Sequence, residues 1–198
     1  AVVHEVIVPY PTPLIQTTEV RSTLLCASLQ SLRARGLFDA YLSHLSPEQQ
    51  VEVHALTAGL WLPVERAVTH YEACDRLPLT REDRLELGGD VAHRIQQSLL
   101  SVIARLARES GVTPWLVLAN AEKLRRHTWQ GGGIRITKTA PKDARVEWTA
   151  QPCARFAHFR DGFAGILRAL CDLYARRTFV FEDPQTDVNT VSMRVHWA

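Results

Sequence analysis

The sequence predicts an α+β fold in which a layer of helices packs on a small antiparallel sheet of about four strands. Over most of residues 19–126, apolar side chains recur at steps of three to five positions, which is the spacing of amphipathic helices. From residue 134 onward, two pairs of short alternating segments flank one further helical stretch. Strands that are separated from helices in this way form antiparallel sheets rather than parallel doubly wound ones.

Length and composition agree with a packed domain. The chain has 198 residues, of which 46% are hydrophobic and 22% charged, close to the usual mix of globular domains. We expect residues 1–19 to form an N-terminal arm and residues 20–198 to form a single α+β domain. Within the arm, the apolar triplet of residues 6–8 is followed by a proline-rich run, which suits an edge strand.

Three helices are predicted first. The pattern from Glu19 to Arg35 indicates about four turns, and residues 37–45 continue as a short second helix. Ser46 and Gln49 form a capping box around Pro47, whose missing N–H costs nothing at the first helical position. A third helix therefore begins at this point.

Two longer helices follow. The first opens at residues 61–63 and runs to Asp75, and the second extends from Thr80 to Ser110-Gly111. Gly88-Gly89 interrupts the second pattern, and each glycine costs about 1 kcal/mol relative to alanine in a helix interior. Either this helix begins at Asp90, or another element packs closely against the two glycines.

In the rest of the chain the spacing of apolar residues changes from helical to alternating twice. A helix over residues 113–126 is followed by a predicted hairpin, a helix and a second pair of strands. The predicted hairpin strands are residues 134–138 and 146–149, the helix is 154–177, and the closing strands are 179–181 and 191–197, with a turn at 182–185.

Charge and cysteine content exclude several classes. The net charge is only +2, and the basic residues are mostly scattered arginines, so we expect no nucleic-acid partner. No apolar run is long enough to span a membrane and no export signal is evident, so we expect a cytoplasmic protein. The cysteines lack metal or redox spacing and are expected to be free thiols: Cys26, Cys74, Cys153 and Cys171.

Several short stretches together resemble an uncharacterised myxobacterial protein family of about this length. They are residues 70–77, 111–115, 131–133, 141–147 and 159–163, and the resemblance covers residues 20–198. The closing helix and strand pair are also similar to the ends of the 4-vinyl reductase and haem nitric-oxide-binding folds. That second resemblance implies helices on a small antiparallel sheet with a small-molecule pocket between the layers. The tyrosine, serine and arginine motif that holds the haem propionates in the latter fold is not evident.

A ligand site is predicted where such a pocket would open. His70 and Cys74 lie one helical turn apart and share a face, and three tryptophans fall at helix starts or in the loop before the sheet. We predict no metal centre, because no third ligand has a diagnostic spacing. His70 or His93 could provide the single axial ligand that haem needs. The predicted ligand-binding residues are Trp61, His70, Cys74, Trp115 and Trp129.

Three functions are compatible with these residues. The first is a non-catalytic sensory or adaptor domain that holds an apolar or flat small molecule between helices and sheet. The second is a protein interaction module that forms a homodimer without a ligand. The third is a haem-binding sensor, so the cofactor is left open. No GxSxG, HExxH or SxxK motif occurs, and we therefore predict no catalytic residues.

Overall fold

The computed structural model describes residues 4–106, 113–184 and 187–198, and of residues 96–106 it describes only the backbone. Within these ranges the chain has the predicted α+β architecture, with helices and two antiparallel sheets. The predicted helix end at Ser110-Gly111 and Gln185 of the last predicted turn lie outside the described residues. None of the described helices is long and apolar enough to span a bilayer.

The helices lie in the segments that the periodicity predicts, but the one helix predicted over residues 113–126 is divided at Asn120 into two. The Ser46 hydroxyl accepts from the Gln49 amide and the Gln49 side chain accepts from the Ser46 amide, so the predicted capping box is confirmed. The predicted helix over 154–177 is a 3-10 turn followed by a shorter α-helix. The helices are α1 Ser22–Ala34, α2 Phe38–Leu42, α3 Pro47–His54, α4 Val64–Asp75, α5 Arg81–Leu106, α6 Pro114–Ala119, α7 Ala121–Arg126 and α8 Ala157–Cys171, with the 3-10 turn at Pro152–Arg155.

The main sheet contains the four predicted strands and the N-terminal edge strand. Its strands are β1 Glu5–Val8, β5 Gly133–Ala140, β6 Asp143–Thr149, β7 Thr178–Glu182 and β8 Val191–Trp197. They lie in the order β1-β5-β6-β8-β7, and all neighbours are antiparallel. Ile136 faces Val146, which faces Met193 on the next strand. These side chains are buried and form part of the floor under the helices.

A second, three-stranded sheet corrects the sequence analysis. It consists of β2 Glu19–Arg21, β3 Trp61–Pro63 and β4 Trp129–Gln130, in the order β3-β2-β4. The sequence placed the first two segments at helix starts. Strands of two or three residues are too short to show an alternating period, and here they are defined only by pairing with distant parts of the chain.

Helices α5 and α8 cross with their backbones in contact. Helix α5 continues through Gly88-Gly89. The second alternative from the sequence, close packing at this point, is confirmed for Gly88, whereas a Cβ on Gly89 would meet no atom within 4 Å. A Cβ on Gly88 would lie 2.1 Å from the Gly162 carbonyl oxygen, and a Cβ on Gly165 would lie 2.0 Å from the Leu85 carbonyl oxygen. Only glycine at both points allows this approach, which fixes how the α5–α8 pair meets the sheet.

A buried carboxylate that pairs with two arginines ties the same two helices together. The Asp161 carboxylate on α8 lies 2.8 Å from Arg84 Nε and 3.4 Å from Arg81 Nε on α5. Asp161 is 4% exposed, and charged groups are buried at low cost only when they are paired. The pair therefore fixes the register of the crossing at the end where α8 begins.

Candidate functional site

A cavity of about 100 Å³ lies between the helical layer and the sheets. Helices α1, α4, α5, α6, α7 and α8 line it from one side, and strands β4, β5 and β6 line it from the other. Most of its wall is apolar. The cavity therefore lies between helices and sheet, where the sequence analysis expected a pocket.

An aromatic cluster forms one wall of the cavity. Trp148 contacts Phe159 and Phe163, with ring centroids 5.2 and 5.0 Å apart. Trp129 meets Trp148 and Phe159 edge to face at 5.6 and 5.8 Å, and Phe159 also meets Tyr71 at 5.1 Å. Such pairs are favourable beyond their buried area. They give the cavity a rigid wall that joins the sheet to α8 and α4.

Gly162 leaves open space in the opposite part of the wall. Gly88 on α5 and Gly162 on α8 both line the cavity. A Cβ on Gly162 would meet no atom within 4 Å, so the space that a side chain would fill at this position is open. The close helix crossing and the open volume therefore come from the same pair of helices.

His158 is a polar residue of the cavity wall, on the first turn of α8. Asp75, at the end of α4, holds this turn: its carboxylate oxygens accept from the backbone amides of Ala157 and His158 at 3.0 and 2.7 Å. His158 is 4% exposed, and its Nδ1 has no hydrogen-bond partner. Burial and the nearby Arg84 lower the pKa of His158 to about 4, so the imidazole is neutral at pH 7.

The cap supplied by Asp75 leads to a stability prediction. Asp75→Ala leaves two amides of α8 without acceptors, and the loss of a helix N-cap typically costs about 1–2 kcal/mol. We expect this decrease in the free energy of unfolding from chemical denaturation, with no change in helix content. Asp75→Asn retains one acceptor oxygen and should lose less. Equal stability of all three proteins would show that the cap does not hold α8.

Arg125 closes the end of the cavity near β4. Its Nε and Nη2 donate to the two Glu122 carboxylate oxygens at 2.9 and 2.8 Å. Its Nη1 donates to the carbonyl oxygens of Trp129, at 3.3 Å, and Gly131. Glu122 also accepts from the Ile134 amide at 3.0 Å. The guanidinium thus joins α7 to the sheets, and all three of its nitrogens are engaged within the protein.

His70 lies in a buried network beside the cavity. Ser28 Oγ lies 2.9 Å from His70 Nε2, and the Tyr41 hydroxyl lies 2.9 Å from Nδ1. Ser28 lines the cavity between the layers, whereas Tyr41 and His70 line a second cavity of about 80 Å³ among the N-terminal helices. Burial, with the neighbouring His158, lowers the pKa of His70 to about 3. The network therefore separates two cavities with a neutral imidazole.

The Ser28–His70 contact resembles the pairing of a nucleophile with a general base, but its surroundings do not support that chemistry. A base that takes a serine proton becomes an imidazolium, which a carboxylate normally stabilises. Here the other ring nitrogen faces the Tyr41 hydroxyl, and burial already disfavours the cation. The arrangement is suited to fixing the shape of the cavity wall.

The structure separates the five residues that the sequence analysis predicted for a ligand site. Trp129 lines the cavity between the layers and His70 lines the second cavity. Cys74 is fully buried with its Sγ 3.7 Å from His70 Nε2. Trp115 lies edge to face with Trp197 and donates to the Pro141 carbonyl oxygen, and Trp61 packs under Arg21. Cys74, Trp115 and Trp61 are not among the residues that line either cavity.

Of the residues that line this cavity, only Trp129 was predicted as a site residue; those missed include His158, Phe159, Gly162 and Trp148. A signal for His158 and Gly162 was present, because positions 158, 162, 166 and 170 follow at steps of four and form one stripe on a helix. A glycine inside an apolar stripe leaves a gap in it. That the gap faces α5 and the sheet could be known only from the fold.

Cysteines and histidines do not converge on a metal site in the part of the chain that is described. No group of three or more His, Cys, Asp or Glu side chains there could hold a metal ion. All four cysteines are free thiols, three of them buried. Burial raises the pKa of Cys171 to about 12 and that of Cys153 well above its usual value, so both are protonated at neutral pH.

Comparison with solved structures shows a shared fold. The chain superposes on an Fe(II) unliganded H-NOX (haem nitric-oxide-binding) protein from K. algicida with a TM-score of 0.66 at 10% identity, covering 90% of this chain and 96% of that one. An oxygen-binding H-NOX domain related to soluble guanylate cyclases matches with a TM-score of 0.59 at 13% identity, covering 89% and 94%.

These matches confirm the expected resemblance to the haem nitric-oxide-binding fold, and at such low identity they define the fold alone. No family model matches the chain, and no curated protein matches it significantly. The expected resemblance to the myxobacterial family is therefore not supported by these comparisons.

Proposed function

We propose that residues 20–198 form a non-catalytic sensory or adaptor domain that binds a small, mostly apolar molecule in the cavity between helices and sheets. The observation that carries the proposal is the cavity itself, which draws its wall from six helices and both sheets. A ligand there would contact every layer of the fold. Its binding could therefore change how the layers pack, which is what a sensory domain requires.

The size of the cavity limits the ligand. Apolar cavities of about 150 Å³ in other proteins bind benzene or xenon, whereas drug-sized ligands need about 300–1,000 Å³. A volume of about 100 Å³ is close to that of the cavities that bind benzene or xenon. The proposed ligand is therefore about the size of one ring, and flat enough to lie against the aromatic wall.

The solved structures with this fold are H-NOX proteins, so haem is a candidate ligand, but it does not fit this cavity. Haem belongs to the drug-sized class by volume, and its propionates need cations. Arg125 is the cationic side chain at the described cavity wall, and its guanidinium is committed to Glu122 and two carbonyl oxygens. His158 could supply an axial nitrogen, but a nitrogen alone does not make room for a porphyrin. The proposed ligand is therefore smaller than haem.

An absorption spectrum tests this exclusion. Purified protein incubated with haem and passed through a desalting column should show no Soret band. A stoichiometric Soret band that is lost in His158→Phe would contradict the exclusion and favour the haem-sensor alternative.

Ligand binding is tested with benzene as a probe and a variant that fills the cavity. Benzene should shift the amide NMR signals of residues around Phe159 and Trp148 and raise the melting temperature. Gly162→Leu adds a side chain at the cavity wall, where no atom lies within 4 Å of the new Cβ, and should abolish both effects. Gly89→Leu is the matched control, since its Cβ also meets no atom within 4 Å but Gly89 is not among the lining residues.

Native mass spectrometry of protein purified from its own host distinguishes the ligand-binding proposal from the homodimer alternative. A co-purified mass that disappears in Gly162→Leu would support the ligand-binding proposal. A dimer without bound mass, together with no response to benzene in the wild type, would refute it and favour the interaction module.

A further inference from the structure

A groove of about 500 Å³ lies on the face of the main sheet that points away from the helices. It is lined by residues 140–143 of the turn between β5 and β6, by Phe181 on β7, and by Arg194 and His196 on β8. Val195, between the last two, is fully buried in the core, and successive side chains of a strand point to opposite faces. The groove is therefore separate from the cavity between the layers, and the inference below does not depend on the ligand proposed for that cavity.

A buried carboxylate holds the basic side chains of the groove in place. Asp143 is 5% exposed, and its two oxygens accept from Arg194 Nε and Nη2 at 3.2 and 2.8 Å. The Thr139 hydroxyl also donates to Asp143, and His196 Nδ1 lies 3.5 Å from it. A guanidinium that is already fixed loses little further freedom when it binds a second anion. Asp143 therefore preorganises the wall of the groove.

Three basic side chains remain open to a ligand. Lys142 is exposed and forms no ion pair with any residue that the structure describes. The side chains of Arg194 and His196 are about half exposed, and their contacts with Asp143 leave Arg194 Nη1 and His196 Nε2 unused. Two permanent positive charges thus face one carboxylate that is itself buried. The groove has an excess of positive charge even when His196 is neutral.

This excess of positive charge is confined to the groove. Elsewhere on the sheet, Arg145 pairs with Asp183 at 3.0 Å and Arg135 pairs with Glu147 at 2.7 Å. A single-stranded nucleic acid needs a basic track for its successive phosphates, which these balanced pairs do not provide. The charge distribution therefore favours a ligand with one or two anionic groups over a polyanion.

Phe181 adds an apolar contact beside the cations. It stands directly opposite Arg194 in the pairing of β7 with β8, and it is 57% exposed. Single exposed hydrophobic residues are common on protein surfaces, but this ring lines a groove and lies next to a fixed guanidinium. The volume of the groove is within the range of about 300–1,000 Å³ that holds drug-sized ligands. A peptide segment of a few residues has this size.

We infer that the groove binds an acidic segment of a partner protein. A glutamate or aspartate side chain of the partner pairs with Arg194 and Lys142, and a neighbouring apolar side chain packs on Phe181. Arginine binds carboxylates with charge-assisted hydrogen bonds, which are stronger than neutral ones. This surface gives the domain a site for a partner that leaves the cavity between the layers free.

The test titrates a blocked tripeptide of leucine, glutamate and leucine into ¹⁵N-labelled protein, and compares it with the tripeptide that has glutamine in the middle. We expect a Kd in the millimolar range for the glutamate peptide, with the largest amide shifts in residues 140–143 and around Phe181. The glutamine peptide should bind about fivefold more weakly. Lys142→Gln should weaken the glutamate peptide two- to fivefold, the usual worth of an exposed ion pair, and Phe181→Ser should weaken it about tenfold.

The two variants have matched controls elsewhere on the surface. Lys123→Gln and Val51→Ser also change exposed side chains, on α7 and α3, that do not line the groove, and they should leave the Kd unchanged. Equal binding of the two peptides, equal effects of Lys142→Gln and Lys123→Gln, shifts outside the groove, or no shifts at all would each overturn the inference.

Two other occupants of the groove are distinguished by the same preparations. A single-stranded oligonucleotide that binds the groove more tightly than the glutamate peptide would overturn the inference in favour of a polyanion. A dimer in size-exclusion chromatography that dissociates in Phe181→Ser would overturn it in favour of a second copy of this chain. A monomer that binds the glutamate peptide more tightly than the oligonucleotide would support it.

Discussion

Gly165→Ala is expected to destabilise the protein by about 3 kcal/mol or more, because its new Cβ would lie 2.0 Å from the Leu85 carbonyl oxygen. A clash with backbone cannot be relieved by a side-chain rotation, so α8 must move away from α5, and overpacking of this kind costs about 1–3 kcal/mol or more. In a domain of this size the melting temperature should fall by roughly 10 °C. Calorimetry and chemical denaturation measure both quantities.

Gly89→Ala is the matched control for this prediction. Its Cβ would meet no atom within 4 Å, and replacing glycine by alanine inside a helix stabilises it by about 1 kcal/mol. The two variants make the same chemical change on the two helices of the crossing and should have opposite effects. If Gly165→Ala is as stable as the wild type, the backbones of α5 and α8 are not in contact.

The same crossing shows what the sequence could and could not reveal. Periodicity located the helix that contains Gly88-Gly89 and left close packing at this point as one of two alternatives. It could not identify the partner, because Gly88 and Gly162 are brought together only by the tertiary fold. The cavity depends on that partner, since Gly162 opens space only when α8 lies against α5.

The short strands and their tryptophans show a second limit of prediction from sequence. Trp61 and Trp129 stand in strands of three and two residues that are defined by pairing with Glu19–Arg21. Sequence analysis treated the tryptophans as equivalent candidates at element boundaries. The two tryptophans differ in burial. Trp129 is 2% exposed within the aromatic cluster, whereas Trp61 is only half-buried and packs against an arginine.

His70 and His158 are expected to make the fold sensitive to acid. The pKa of His70 is lowered to about 3 and that of His158 to about 4, mainly by burial, whereas an unfolded histidine titrates near 6.5. As the pH falls below about 6.5, the unfolded chain binds these two protons before the folded chain does. Stability is therefore complete above about pH 6.5 and decreases as the pH falls toward the folded pKa values.

The expected loss at pH 4 is on the order of 3 kcal/mol for each histidine, which is a large part of the 5–15 kcal/mol that stabilises a typical protein. Urea denaturation at pH 7, 6, 5 and 4 should show the decrease beginning below about pH 6.5, above the range in which free carboxylates titrate. His158→Phe removes one of the two groups and should roughly halve the decrease between pH 6.5 and 4.5. A midpoint that stays constant from pH 7 to pH 5 would mean that these imidazoles bind protons as readily in the folded protein as in the unfolded chain.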